Sequence, residues 1–274
     1  KVSSLYDPDN ANTTANPPAD DPRLQKPEGL FICPSGQSAS AIIASGVRAA
    51  THYRWNHGDA PFSQDGITAS YETIAWQRGL GGFGKGAIID FGSITDGLSN
   101  TAMFSERMFA IALTTNNYPV IEICILSTDA NGGSVFSNKN EATILTNRQT
   151  VLDYCGTNGN YKNSFSGVTS YRANYGYLYY DALAHHSGFH TVLPPNGPAA
   201  VNTNSRQISV LTPTSNHKGG VNLAKCDGSV TFITNASDTG TAATIAAATT
   251  ADAPSPFGIW GALGTRCGGE SQSP

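Results

Sequence analysis

The stretch 219–235, GGVNLAKCDGSVTFITN, constrains the fold of this chain more than any other, because Asp227-Gly228 separates two alternating runs of β-forming residues. An Asp-Gly pair so placed predicts a two-residue type I′ hairpin loop, whose two central residues both need φ > 0. That loop pairs Cys226 with Ser229, Lys225 with Val230 and Leu223 with Phe232. It turns Val221, Leu223, Val230 and Phe232 toward the core and Cys226 away from it. Further strands are expected at GLFICPS (29–35), around Tyr53 and Trp55, from Thr101 to Arg107, and in PVIEICILS.

Composition points the same way. Charged residues make up 13% of the 274, against roughly 25% in an average soluble protein. A helical bundle draws on Ala, Leu, Glu, Lys and Arg, so a strand-dominated α+β domain with long loops is the expected class. The chain 1–274 reads as one domain, with 1–29 an extended polar arm and 108–165 a loop-rich excursion. The net charge of −4 lacks the Lys and Arg clusters that would bind nucleic acid, so no nucleic-acid partner is expected. No run approaches the roughly 18 apolar residues that span a bilayer.

The five cysteines form no C-x-x-C pair and, with the low charge, suit an oxidising setting outside the cytoplasm. Cys124 and Cys155 flank a polar excursion and are expected to staple it by a disulfide. Closing such a loop is worth roughly 3–4 kcal/mol in the chain-entropy model. Cys33 and Cys226, both placed in strands, are candidates for a second bridge, leaving Cys267 as the free or intermolecular thiol.

Candidate site residues are few. ITDGLSN (94–100) is expected to be a capped polar turn, with Thr95 or Asp96 as the cap. The oxygens of Asp96, Ser99, Asn100 and Glu106 also make a weak Ca²⁺ candidate, as do Asp7, Asp9 and Asn12 in the arm; no other cofactor is expected. The tyrosines around 170–190, Tyr175, Tyr177 and Tyr179 among them, together with Trp55 and Trp76, are candidates for stacking on a sugar or another solute. His185, His186 and His190 have a spacing that could converge on one metal ion with Asp181, but Gly188 and the strand pattern after it argue against the helix such a site needs, and the three are expected to bond to backbone. No G-x-S-x-G occurs, and a pairing of His217 with Cys226 is disfavoured because the hairpin ties the thiol beside its turn. The chain is therefore not expected to be an enzyme.

Five blocks, in this order, carry a resemblance: FICPSG (31–36), ITDGLSNTAMFSE (94–106), FHTVLPPNGP (189–198), SNHKGGVNLAKCDGSVTFI, in which His217 precedes Asp227-Gly228 by ten residues, and FGIWGALGTRCGGE (257–270). The chain resembles a bacterial family of secreted prepilin-like proteins, the domain of unknown function 1559, also called solute-binding family 10. The resemblance implies a pilin-like head whose antiparallel sheet packs on an N-terminal helix. It places a short basic leader and that long apolar helix upstream of Lys1, with processing of the type II secretion or type IV pilus kind. His217, Asp227, Gly228, Asp96, Gly97, Asn100 and Glu106 are then expected to be structural motif residues. The implied role is an extracellular, cell-surface or periplasmic structural protein that assembles with itself or with other surface proteins. Its only contact with a membrane would be through the upstream helix. The alternative is a solute- or carbohydrate-binding module using the Tyr-rich region.

Overall fold

The computed structural model describes residues 29–36, 51–60, 62–63, 78–80, 89–108, 123–126, 148, 168–172, 187–197, 199–202, 208–242, 250 and 252–270. Among these residues the chain forms ten strands and one α-helix: β1 (Tyr53–Asn56), β2 (Phe62–Ser63), β3 (Ala102–Glu106), β4 (Ile123–Leu126), β5 (Val168–Arg172), β6 (Gly188–Phe189), β7 (Ala199–Asn202), β8 (Ile208–Val210), β9 (Gly220–Lys225), β10 (Val230–Thr234) and α1 (Gly258–Gly264). They build two five-stranded sheets, ordered β10-β9-β3-β1-β6 and β2-β8-β7-β4-β5.

The strand-dominated class is as expected, but the sheets are mixed. β1 runs parallel to β6 and β4 parallel to β7, whereas the other pairs are antiparallel. Parallel neighbours need a crossover connection, and these join segments more than 70 residues apart, beyond the reach of local patterning. β4 lies within the stretch expected to be an excursion, yet it sits between β7 and β5 inside the second sheet. The strand expected at 29–35 is instead a 3₁₀ turn, Gly29–Phe31, followed by a bend. Phe91–Ser93 form a further 3₁₀ turn, capped by the Asp90 carboxylate.

The hairpin forms, with its register one residue away from the expected one. Ala224 pairs with Val230, Leu223 with Thr231 and Val221 with Ile233. The Lys225 amide donates to Ser229 O and the Gly228 amide to Lys225 O, so the loop holds three residues and only Gly228 takes a left-handed φ, 85°. A three-residue loop closing on a left-handed glycine replaces the type I′ turn, and the Asp227 carboxylate stabilises it by accepting from the Ser229 amide and hydroxyl. A one-residue slip moves a strand's side chains to the other face. Ile233 accordingly joins Val221 and Leu223 in the core, while Val230 and Phe232 are 67% and 45% exposed.

Ala102, Phe189, Val221, Leu223, Ile233, Trp260 and Leu263 form one buried cluster, in which α1 covers the inner face of the first sheet. Trp260 stacks on Phe189 and donates its indole N–H to Leu193 O. Trp260 and Leu263 thus anchor the C-terminal part of the chain, as their apolar character suggests.

Candidate functional site

The outer face of the first sheet carries the site. Tyr53 and Trp55 point outward from β1 while Arg54 and Asn56 point inward, the alternation of a strand with one covered face. β3 is shifted in register between Ala102 and Phe104. Beyond that shift Phe104 lies opposite Trp55 and Ala224, their rings 4.6 Å apart edge to face, and Glu106 lies opposite Tyr53. Tyr53, Phe104, Ser105, Glu106, Asn222, Ala224 and Val230 line a groove of ≈ 350 Å³.

Two loops close over the Glu106 end of this groove. In the first, the Gly36 amide donates to Cys33 O, forming a tight turn whose Cys33 amide donates to His52 Nδ1 at 2.9 Å. A side chain at Gly36 would collide with the His52 ring, so this close approach requires glycine. Burial lowers the His52 pKa to about 4, with Arg54 adding to the shift; its ring is neutral and Nδ1 remains an acceptor. In the second loop, the His217 amide donates to Ser215 Oγ, and Asn216 Nδ2 to Ser35 O at 2.9 Å.

The result is a compact cluster. His217 Nε2 lies 3.2 Å from Glu106 Oε1, 3.1 Å from Ser35 Oγ and 3.8 Å from Cys33 Sγ. Cys33 Sγ is 3.4 Å from Glu106 Oε1 and 3.0 Å from Ser35 Oγ. Asn222 donates from its backbone to Glu106 Oε2 and from its amide side chain to Oε1. Burial pushes the Glu106 carboxyl up, but the bonds from Asn222 and Ser215 and the nearby His217 outweigh it and hold the group below its usual range. Because thiol and carboxylate meet the same imidazole nitrogen, the arrangement is not a nucleophile–base–orienter relay, which uses both ring nitrogens. Three donor atoms converging on one point can instead hold a metal ion.

Of the residues singled out from sequence, His217 and Glu106 are brought together here. His217 Nε2 meets three side chains from two segments, Cys33 and Ser35 in the first loop and Glu106 at the end of β3. Cys33, placed in a strand and a candidate for a bridge to Cys226, is a free thiol in this cluster, and Cys226 is a free thiol as well. The physical reason is placement: Cys33 lies in the turn over the groove, whereas Cys226 opens the hairpin loop with its amide bonded to Thr101 O. Burial and the neighbouring Asp227 push the Cys226 thiol up to about 11, so it is a poor nucleophile. Cys267 is also free. Cys124 lies on β4, and its expected partner Cys155 falls outside the described residues, as do Tyr175, Tyr177, Tyr179, Asp7 and Asp9. The contributions of Cys33, Ser35, His52 and Asn222 were not legible as a site, although Cys33, Ser35, Glu106, His217 and Asn222 all fall in the quoted blocks.

Asp96 has another use than calcium. Its carboxylate accepts from the Gly268 and Gly269 amides at 2.7 and 2.8 Å and from Thr265 Oγ1 at 3.3 Å. Residues 94–100 form turns, in which the Gly97 amide donates to Ile94 O and Asn100 Nδ2 to Asp96 O. The Asp227 amide donates to Leu98 O, so the hairpin loop, the 94–100 turn and the C-terminal bend are tied together. Asp96→Ala is expected to cost about 1–3 kcal/mol, because the buried Gly268 amide and the part-buried Gly269 amide lose a charged acceptor. Urea denaturation of the variant measures this, and an unchanged midpoint would mean that the lock is not stabilising.

The fold and site thus define a two-sheet, strand-dominated domain with an open outer face and a Cys–His–carboxylate cluster at one end of it. The chain belongs to the family described as protein of unknown function DUF1559 (SBP_bac_10), whose model matches residues 2–240. No curated protein and no solved structure matches it. Helix α1 lies beyond the matched stretch, yet its Trp260 and Leu263 complete the core. No helix among the described residues is long and apolar enough to cross a membrane.

Proposed function

We propose that the protein is an extracellular or cell-surface structural subunit, a pilin-like head that assembles through the outer face of its first sheet. The observation that carries this reading is the apolar strip on that face. Val230 and Phe232 are 67% and 45% exposed on β10, an edge strand, and they continue into Ala224, Phe104 and the half-buried Trp55 and Tyr53. A row of exposed apolar side chains beside an open sheet edge is a surface that natural proteins cover with a partner. The partner is a second copy of the chain or another surface protein, and no catalytic step is assigned. A solute-binding role has the groove in its favour. Its polar groups, however, are committed to one another: Ser105 Oγ donates to Asn222 O, and Asn222 donates to Glu106. They leave few donors to orient a sugar.

Introducing charge at both positions, Val230→Asp with Phe232→Asp, is expected to shift the full-length protein from sedimenting assemblies to monomers with little change in melting temperature. Undiminished assembly of a folded double variant would overturn this reading. Saturable, groove-dependent binding of a solute to unassembled protein would favour the other.

A further inference from the structure

We propose that Cys33, Glu106 and His217 form a binding site for a thiophilic divalent metal ion, Zn²⁺ above all, independently of the assembly role. In tetrahedral zinc sites, bonds of about 2.3 Å to sulfur and about 2.0–2.2 Å to nitrogen or oxygen place the ligand atoms about 3.3–3.7 Å from one another. The three separations here are 3.8 Å for sulfur to nitrogen, 3.4 Å for sulfur to oxygen and 3.2 Å for nitrogen to oxygen. The triangle therefore has the size of one face of a zinc tetrahedron before any side chain moves.

The donor set decides which metal. A thiolate and an imidazole select zinc and its neighbours, whereas Ca²⁺ and Mg²⁺ take oxygen ligands throughout. On binding, the Cys33 thiol gives up its proton to solvent and its sulfur becomes the anionic ligand. The supporting contacts are those a metal site needs. Asn222 fixes both Glu106 oxygens, and the bond from the Cys33 amide to His52 Nδ1 fixes the turn that carries the sulfur. Ser35 Oγ, 3.0 Å from the sulfur and 3.1 Å from Nε2, lies beside the triangle and donates to the thiolate or takes the fourth position itself. The His217 side chain is 32% exposed, which leaves a path for an ion and a water to enter.

Cobalt titration of reduced, metal-stripped protein tests this. One Co²⁺ per chain is expected, with a thiolate-to-cobalt charge-transfer band and the intense visible bands of tetrahedral cobalt, and Zn²⁺ should displace it one for one. Cys33→Ser should abolish the charge-transfer band. His217→Gln, at a half-exposed position where folding is least at risk, should weaken binding at least 10-fold, and Asn222→Ala, a positioning change, by about 10–100-fold. A pale octahedral spectrum without the charge-transfer band in the unaltered protein would overturn the proposal. So would binding that His217→Gln leaves unchanged. Both outcomes are independent of whether the protein assembles.

Discussion

Lowering the pH from 7 to 4 is expected to remove most of the stability of the fold, with the loss concentrated between pH 6.5 and 4. His52, His57 and His190 are buried. Burial lowers His52 and His57 from 6.5 to about 4, Arg54 contributing at His52, and it drives His190 well below its ordinary value, with His57 adding to the effect. The unfolded chain takes up protons on these rings below about pH 6.5 while the folded chain does not, so stability falls as pH falls through that window. A shift of this size corresponds to about 3 kcal/mol for each of His52 and His57, set against a total of about 5–15 kcal/mol for an ordinary domain. Structure gives the same sign. His190 Nδ1 accepts from the Leu211 amide and His52 Nδ1 from the Cys33 amide, and a proton on either nitrogen would break that bond. The His57 and His190 rings are also 5.8 Å apart, so a charge on one opposes a charge on the other. Glu106, held below its usual range, adds a loss of the same sign at still lower pH. Melting temperature measured against pH should be flat above 7 and fall steeply below 6.5, and His57→Gln should make the fall shallower. A flat profile down to pH 4.5 would show that these rings titrate normally in the folded protein.

The second large effect is expected at Asp59. Arg78 Nε and Nη2 meet the two Asp59 oxygens at 2.6 and 2.7 Å, in a bidentate pair whose side chains are 0% and 1% exposed. Arg78 Nη1 donates to Thr250 O and Ala253 O, and Arg78 O accepts from the Arg266 amide. The guanidinium thus joins Asp59 to the segment that precedes α1, and the Arg78 carbonyl joins the same residue to the segment that follows it. Asp59→Ala should cost about 3–5 kcal/mol, because it leaves a buried cation without its carboxylate. The double change Asp59→Ala with Arg78→Met should be less damaging than Asp59→Ala alone, since the uncompensated charge is gone. Chemical denaturation of the single and double variants decides this. A double variant as unstable as the sum of its parts would mean that Arg78 acts through its carbonyl contacts rather than through the pair.

Local pattern carried much of this fold. Alternation around Tyr53 and Trp55 marked β1, the run from Thr101 to Arg107 marked β3, and PVIEICILS contained β4. The hairpin was legible as a hairpin, but not its register, because type I′ and three-residue loops are separated by side-chain bonds such as those from Ser229 to Asp227. That one-residue difference decided which of Val230, Phe232 and Ile233 faces water. The site was less legible. Cys33 read as half of a disulfide, and Glu106 and His217 as structural motif residues, since nothing in a linear sequence brings positions 33, 106 and 217 together.

By itself the sequence determined the strand-dominated class, the hairpin at 219–235 and the family, all of which rest on neighbouring residues or on blocks of them. Tertiary structure alone decided the parallel pairing of β1 with β6 and of β4 with β7, the lock of Asp96 on the Gly268 and Gly269 amides, and the convergence of sulfur, imidazole and carboxylate at one end of the groove. The reason is physical. Propensity and alternation act over a few residues, whereas these contacts join segments tens to hundreds of residues apart and exist only when the burial of one shared core holds both partners in place.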